Sequence, residues 1–358
     1  MKFVIFGLTL SSTWGNGHAT LWRGLIRALV RRGHECLFFE RDVPYYRAHR
    51  DLTALPGARL ILYSGWQSVL QVARSHVAEA DVAIVTSYCP DAVAASALIL
   101  ADGTRACRVF YDLDTPVTLA RVRSGEAVEY LPQQDLSEFD LVLSFTGGAA
   151  LEAVRELLGA RRVAALYGHA DPDVHRPVPP QERYNADLSY LGTYAADRQE
   201  KLITLFVEPA RRRPTRRFLL GGSGYPHDFP WTDNIWFVRH VAPQEHPPFY
   251  CSSRLTLNVT RRDMAAMGFC PSGRLFEAAA CGAPLLSDEW QGLERFFSPG
   301  AEILIANSSQ EATAALDIPP PDLMRMARAA RERTLDEHSS ARRAQEMLAI
   351  LESSPRSA

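Results

Sequence analysis

Lys2-Phe3-Val4-Ile5-Phe6-Gly7-Leu8-Thr9-Leu10-Ser11-Ser12-Thr13-Trp14-Gly15-Asn16-Gly17-His18 places an apolar run, a polar loop with two glycines and the start of an amphipathic segment in direct succession. The run 2–8 has no alternation of polar and apolar residues. A strand of that kind is covered on both faces, which is the condition of a parallel strand between layers of helices. It is too short for a leader, is cut off by Ser11-Ser12-Thr13 and lacks a small-residue cleavage pattern, so a first strand is expected.

The same pattern extends outward. Strand-like runs follow at 35–39, 58–63, 81–86, 107–111, 140–145 and 162–166, separated by helical stretches 18–32, 66–80, 91–100 and 149–158. Short apolar strands alternating with amphipathic helices specify a doubly wound, Rossmann-like α/β domain. The alternation stops at Tyr167-Gly168-His169-Ala170-Asp171-Pro172-Asp173 and Pro177-Val178-Pro179-Pro180, where neither a helix nor a central strand can continue. It resumes with strands at 187–191, 216–220, 235–241, 255–259, 283–287 and 302–306 and helices at 198–212 and 273–280. The expected plan is a domain over 1–170, a linker over 171–186, a second doubly wound domain over 187–335 and a helical tail over 336–358. The polar-faced helical stretch 321–352 is expected to cross back and brace the first domain.

A chain of 358 residues, 47% hydrophobic and 22% charged, suits two globular domains and excludes a disordered chain. The 39 Lys+Arg and 41 Asp+Glu leave a formal charge of -2, so no overall basic field exists for nucleic acid or an anionic membrane, and an anionic ligand must meet a local site. Cys36, Cys89, Cys107, Cys251, Cys270 and Cys281 form no C-x-x-C pair, which points away from zinc or disulfide scaffolds and toward a reducing cytoplasm. No stretch reaches the roughly 20 apolar residues of a membrane span.

Ligands of open α/β sheets bind where strands end and helices begin, so the cleft between two such domains is the expected site. In the first domain Trp14, Gly15, Asn16 and Gly17 lead into a helix opened by His18. Gly15-Asn16-Gly17-His18-Ala19-Thr20 fails the last position of a dinucleotide fingerprint, while Glu40 stands near where a ribose-binding acid would fall. Asp112 and Asp114 follow a strand, with Thr115-Pro116 suited to start a helix that Asp114 would cap, and Gly147-Gly148 after Thr146 forms a third close-approach loop. His18, Asp112 and Asp114 are the candidate general bases, opposed by a helix-start histidine bonded to backbone and a simple helix cap.

The second domain carries Leu191-Gly192-Thr193-Tyr194, Gly221-Gly222-Ser223-Gly224 and, most informative, Ser272-Gly273-Arg274-Leu275-Phe276-Glu277-Ala278-Ala279-Ala280-Cys281-Gly282. Arg274 and Glu277 lie three residues apart on a small-residue helix and share a face. An arginine clamps a diphosphate bidentately, and a carboxylate accepts both hydroxyls of a ribose. The competing reading is an ion pair between the two along the helix surface. No His/Cys cluster at ligand spacing is visible in this domain, and Asp112-Leu113-Asp114 is read as a first-domain element, so no metal and no cofactor are expected.

The stretch Arg274 to Asp288 resembles the nucleotide-sugar segment of GT-B glycosyltransferases. Together with Trp14-Gly15-Asn16-Gly17-His18, Tyr111-Asp112-Leu113-Asp114-Thr115-Pro116, Tyr167-Gly168-His169-Ala170-Asp171-Pro172-Asp173, Ser189-Tyr190-Leu191-Gly192-Thr193-Tyr194 and Leu257-Asn258-Val259-Thr260-Arg261, it is similar to the spore-maturation CgeB-like branch of that superfamily. The resemblance implies a GT-B fold of two facing Rossmann-like domains, with the acceptor in the first and a nucleotide-sugar donor in the second. Arg274 would then meet the diphosphate, Glu277 the ribose, and backbone near Arg239, His240 and Val241 the base. Gly192, Thr193, Tyr194, Arg198, Gly222, Asn258, Arg261, Ser272 and Gly273 complete the expected donor site. Many retaining members carry a further Glu eight positions before the one matching Glu277, where this chain has Phe269. A nucleotide-sugar epimerase of the same fold and a catalytically silent binding module are the alternatives to a transferase; the acceptor is unidentified.

Overall fold

The computed structural model describes residues 1–353. The chain divides into two compact units, one containing Met1–Tyr167 and helix Ser340–Glu352, the other Gly168–Ser339.

The first unit is built on β1 (Lys2–Gly7), β2 (Glu35–Arg41), β3 (Ala58–Tyr63), β4 (Val82–Thr86), β5 (Cys107–Asp112), β6 (Leu141–Ser144) and β7 (Val163–Ala165). They pair in the order β3-β2-β1-β4-β5-β6-β7, all parallel. Phe3 to Phe6 are fully buried because helices cover both faces of the central strand. Helix His18–Arg31 turns Trp22, Leu25, Ile26 and Leu29 inward at helical spacing. The chain runs from β1 outward to β3, then returns to lay β4 on the other flank of β1, so the loops leaving β1 and β4 part at a switch point.

The second unit repeats the plan with β8 (Leu188–Leu191), β9 (Phe218–Gly221), β10 (Ile235–Val238), β11 (Thr256–Asn258), β12 (Leu285–Ser287) and β13 (Leu304–Ile305), in the order β10-β9-β8-β11-β12-β13. Its switch point falls between β8 and β11, and its core gathers Tyr190, Phe206, Phe218, Leu220, Leu257 and Leu286.

Three elements depart from the expectation. The helix expected over 198–212 is a 3₁₀ turn Ala196–Arg198, a short α-turn Gln199–Leu202, a π segment Ile203–Val207 and a final turn Glu208–Arg212. Pro209 offers no N–H and its ring crowds the preceding turn, and a π bulge is one way a helix relieves that conflict. The helical tail is two helices, Pro320–Glu337 in the second unit and Ser340–Glu352 in the first, broken at His338-Ser339. The later helix packs on His18–Arg31 and buries Ala344, Met347 and Leu351. Residues 171–186, expected as linker, are held to the second unit: the Val178 N–H donates to Cys251 Sγ and the Gln181 N–H to Ser252 Oγ. No helix among the described residues is long and apolar enough to cross a membrane.

Candidate functional site

At the switch point of the second unit, β8 ends at Leu191 and the chain turns through Gly192-Thr193-Tyr194. Two arginines converge on the carbonyls of this turn. Arg274 Nη1 donates to Leu191 O at 2.5 Å and its Nε to Ser272 Oγ at 3.2 Å. Arg198 Nη2 donates to Thr193 O, while Arg198 Nε has no hydrogen-bond partner. Among the described residues neither guanidinium has a carboxylate at ion-pair distance. Arg198 is 6% exposed, and burial first, then the positive charges of Arg274 and Arg261, press its pKa downward. The protein thus holds concentrated, desolvated positive charge around main-chain oxygens that cannot neutralise it.

Glycine is a steric requirement here. A Cβ on Gly192 would overlap Arg274 Nη1 and the Tyr190 hydroxyl, and one on Gly222, at φ 152, would overlap Gly192 O. The two loops are laced together by Gly192 N–H to Gly221 O at 2.8 Å, Tyr194 N–H to Ser223 O at 2.8 Å and Tyr225 Oη to Gly192 O at 3.0 Å.

Helix Gly273–Ala280 starts after Ser272, which makes no side-chain cap bond; the Leu275 N–H donates to Ser272 O at 3.0 Å, and the Gly273 and Arg274 amides open the helix. Arg274 and Glu277 form no ion pair, against the surface-pair reading. Glu277 is 7% exposed and lies instead between two histidines, 3.5 Å from His246 Nδ1 and 3.9 Å from His175 Nε2. Burial alone would raise its carboxyl, but His175, His246 and Arg274 outweigh burial and hold it at about 2.

The other expected donor residues fall into two groups. Arg261 borders the same switch point, paired to Asp197 at 2.9 Å. His240 follows β10, and Val241 O receives a hydrogen bond from His246 Nε2 at 3.2 Å. Asn258, however, is buried against Ser287 Oγ and Thr260 Oγ1 at 3.2 and 3.4 Å, where it ties the ends of β11 and β12 together. Phe269, at φ 46, donates its N–H to Gln291 O at 2.7 Å, and its ring lies where a side chain on Gly292 would stand.

In the first unit, the loops leaving β1, β4 and β5 meet at the other switch point. The His18 ring lies 5.6 Å from that of Tyr88, whose Oη donates to Asp114 Oδ2 at 2.9 Å. Asp114 opens helix Thr115–Arg123 but makes no side-chain cap bond. Its own N–H donates to Asp112 Oδ1 at 3.0 Å, and the Leu113 N–H to Ser87 Oγ at 2.9 Å. Asp112 is 1% exposed; burial, with the Asp114 charge adding, raises its carboxyl to about 6. His18 is lowered to about 4 by desolvation and is neutral at pH 7. Tyr88, at φ 62, was not singled out in the sequence; nothing near Tyr88 in the chain announces that a β4 loop residue reaches Asp114.

Other first-unit candidates shape the loops. Asn16 Oδ1 accepts the Ala19 N–H at 3.2 Å, Trp14 stacks on His49 with centroids 4.0 Å apart, and Gly15 and Gly17 flank Asn16. Thr115 Oγ1 lies 2.8 Å from Ser144 Oγ, a Cβ on Gly147 would overlap the Tyr167 hydroxyl, and Gly148 at φ 57 precedes helix Ala149–Leu158. Glu40 is not a ribose ligand in waiting. It is fully buried and accepts from Leu10 N at 2.6 Å, Ser11 N at 2.8 Å, Ser11 Oγ at 2.5 Å and Thr9 Oγ1 at 3.0 Å, fixing the loop after β1.

Three residues that could ligate a metal, not visible as a cluster in the sequence, meet in the second unit. His175, His246 and Glu277 each offer a ligand atom within 4.8 Å of the others. Their separations in sequence hid them: His175 ends a turn after Asp171, His246 opens helix His246–Cys251, and Glu277 sits within Gly273–Ala280.

The chain has the GT-B fold of two parallel-sheet α/β domains. Residues 198–349 match a family model described as glycosyl transferase-like. The structure is similar to sucrose-phosphate synthase from Thermosynechococcus elongatus, with a TM-score of 0.69 and 14% identity over 98% of each chain. It is similar to Anabaena HepE in complex with UDP-glucose, with a TM-score of 0.70 and 14% identity over 99% of this chain and 100% of that one. It also resembles an alpha-glucosyltransferase in complex with UDP-glucose and DNA containing an abasic site, with a TM-score of 0.72 and 12% identity over 98% and 99%. No curated protein matches the chain in sequence.

Proposed function

We propose that the protein is a glycosyltransferase of the CgeB-like branch that moves a hexosyl or related group from a nucleoside-diphosphate sugar to a glycan, protein or small-molecule acceptor, without a divalent metal in the transfer step. The observation that carries the reading is the pair Arg198 and Arg274, buried or half-buried at the end of β8 with no carboxylate partner among the described residues. A diphosphate is the ligand whose charge would relieve them, and the negative charge that builds on it as the glycosidic bond breaks makes the same contacts stronger in the transition state. The Gly273 and Arg274 amides at the start of helix Gly273–Ala280 supply further donors.

In this reading Glu277 receives the ribose hydroxyls, and backbone around His240 and Val241 meets the base. Asp114 and His18 border the first unit's crevice and are the candidate bases toward the acceptor, with Asp112 holding the Asp114 turn from beneath. UDP-glucose in the complexes of HepE and the alpha-glucosyltransferase makes UDP-sugars the first donors to try. The near-neutral charge gives no support to a nucleic-acid acceptor. Six free cysteines favour a cytoplasmic setting.

The test is thermal shift with UDP-, GDP-, dTDP- and ADP-sugars, followed by transfer assays with the stabilising donor in EDTA. One nucleotide class should stabilise the protein, and Arg274→Ala should weaken it about 10- to 150-fold, the equivalent of a charge-assisted hydrogen bond of about 1.5–3 kcal/mol. Stabilisation by none of them, or by one that survives in Arg274→Ala and Arg198→Met alike, refutes the reading.

A further inference from the structure

We propose that His175 Nε2, His246 Nδ1 and the Glu277 carboxylate form a binding site for a divalent transition metal of the zinc class, and that its occupation shuts the nucleotide out. Three observations meet at this point. The ligand atoms lie within 4.8 Å of one another, with carboxylate-to-imidazole distances of 3.5 and 3.9 Å. Donors at about 2.0–2.1 Å from a tetrahedral Zn²⁺ are about 3.4 Å apart, so the two carboxylate contacts are near that spacing and side-chain rotation of up to about 1.4 Å closes the widest separation on an ion.

The second observation fixes a tautomer. Val241 O can only accept, so the His246 nitrogen 3.2 Å away, Nε2, carries the proton. In neutral His246 the remaining lone pair, on Nδ1, then faces the Glu277 carboxylate, an arrangement of two acceptors that is stable only with a cation between them. The same backbone hydrogen bond is the outer-shell support that metal-ligating histidines use to hold their ring and raise their basicity.

The third is enclosure. The His175 side chain is fully buried, and those of His246 and Glu277 are 13% and 10% exposed, so an ion entering from the open side exchanges most of its hydration shell for three protein ligands and keeps a position for one water. The proton is the competing occupant, which would convert the trio to a His–Glu ion pair. The two imidazoles and one carboxylate favour zinc over magnesium or calcium, which take oxygen donors.

The metal site stands independently of the donor assignment; the exclusion rests on the reading of Glu277 as the ribose acceptor. A Zn²⁺ ion on Glu277 takes up part of the acceptor capacity and negative charge that the ribose hydroxyls would use, so zinc becomes an inhibitor of a transferase that needs no metal.

The experiment is calorimetric titration of the full chain, stripped with chelator, with Zn²⁺, together with the visible absorption of the Co²⁺ form. One ion per chain with the intense bands of four-coordinate cobalt is expected. Affinity should fall at least about 100-fold in His246→Ala and in Glu277→Gln, and stay unchanged in His227→Ala, an exposed histidine elsewhere in the unit. His246→Ala removes a partly exposed ring, and circular dichroism with a retained Tm keeps that variant interpretable. No binding, or binding equally strong in His246→Ala and Glu277→Gln, overturns the site. A second titration with UDP separates the two claims: UDP that binds the stripped protein and is displaced by Zn²⁺ supports exclusion, and UDP binding indifferent to Zn²⁺ overturns it. UDP, GDP, dTDP and ADP all failing to bind the stripped protein would defeat the proposed function and leave the metal site standing on its own titration.

Discussion

Arg198→Met should make the empty protein more stable and the nucleotide-bound protein less so. Arg198 is 6% exposed, its Nε is without a partner, and Arg274 and Arg261 repel it. Its one described side-chain hydrogen bond goes to Thr193 O, on an exposed residue that water can serve instead. Losing that bond costs about 1 kcal/mol, while replacing buried, poorly compensated charge by an apolar side chain of similar length returns about 1–4 kcal/mol. The net is about 0–3 kcal/mol in favour of the variant, or up to roughly 12 °C in the Tm of a unit of this size. With UDP, the lost charge-assisted contact should raise Kd about 100-fold. At a concentration that is 100 times the wild-type Kd, ligand stabilisation then falls from about 2.7 to about 0.4 kcal/mol. Differential scanning calorimetry with and without UDP reads both halves. A variant that melts several degrees lower without ligand refutes the account of Arg198 as uncompensated charge, and one that keeps the full UDP shift refutes its place at the diphosphate.

Asp112→Asn should change how stability depends on pH. The folded carboxyl, raised to about 6 from 3.8, binds protons more readily than the unfolded chain, so its contribution falls as pH climbs from about 4 to about 6 and stays lost above. Relative to wild type, the variant should gain about 2 kcal/mol between pH 4 and pH 7 in urea unfolding, and a parallel pair of curves would count against the burial argument. Gly192→Ala should displace Arg274 and weaken UDP binding at least tenfold while the helix content by circular dichroism is retained; unchanged affinity would mean that the turn and the guanidinium do not depend on each other. Glu40→Gln should lower stability by about 2–4 kcal/mol in urea unfolding, since an amide nitrogen replaces an acceptor of the loop N–H groups, and a variant as stable as wild type would deny Glu40 its role in fixing the loop after β1.

The sheets were legible because parallel strands buried on both faces read as short apolar runs, and the seven runs of the first half coincide with β1 to β7 within two residues at their ends. Helix irregularity was not. The π segment before Pro209 and the break at His338-Ser339 depend on which hydrogen bonds survive packing, and periodicity carries no trace of that choice. Of the candidate site, Arg274 and Glu277 were readable from helical spacing, and the competing ion pair along the helix does not form. The partners that hold Glu277 come from positions 175 and 246, and only the tertiary fold makes them neighbours. Glu40 shows the opposite error: its position near the end of β2 suggested a ligand role, whereas the long loop after β1 needed a buried acceptor for its own amides.

The first unit is sewn from two stretches of chain, with the whole of Gly168–Ser339 spun out between them. During synthesis every strand of the second unit's sheet emerges before helix Ser340–Glu352 does. Helix His18–Arg31 must wait through that interval with the surface later covered by Ala344, Met347 and Leu351 open to solvent. A chain interrupted before Ser340 would therefore carry a finished second unit on an unfinished neighbour, and the exposed apolar strip on that neighbour is what a chaperone or protease would recognise.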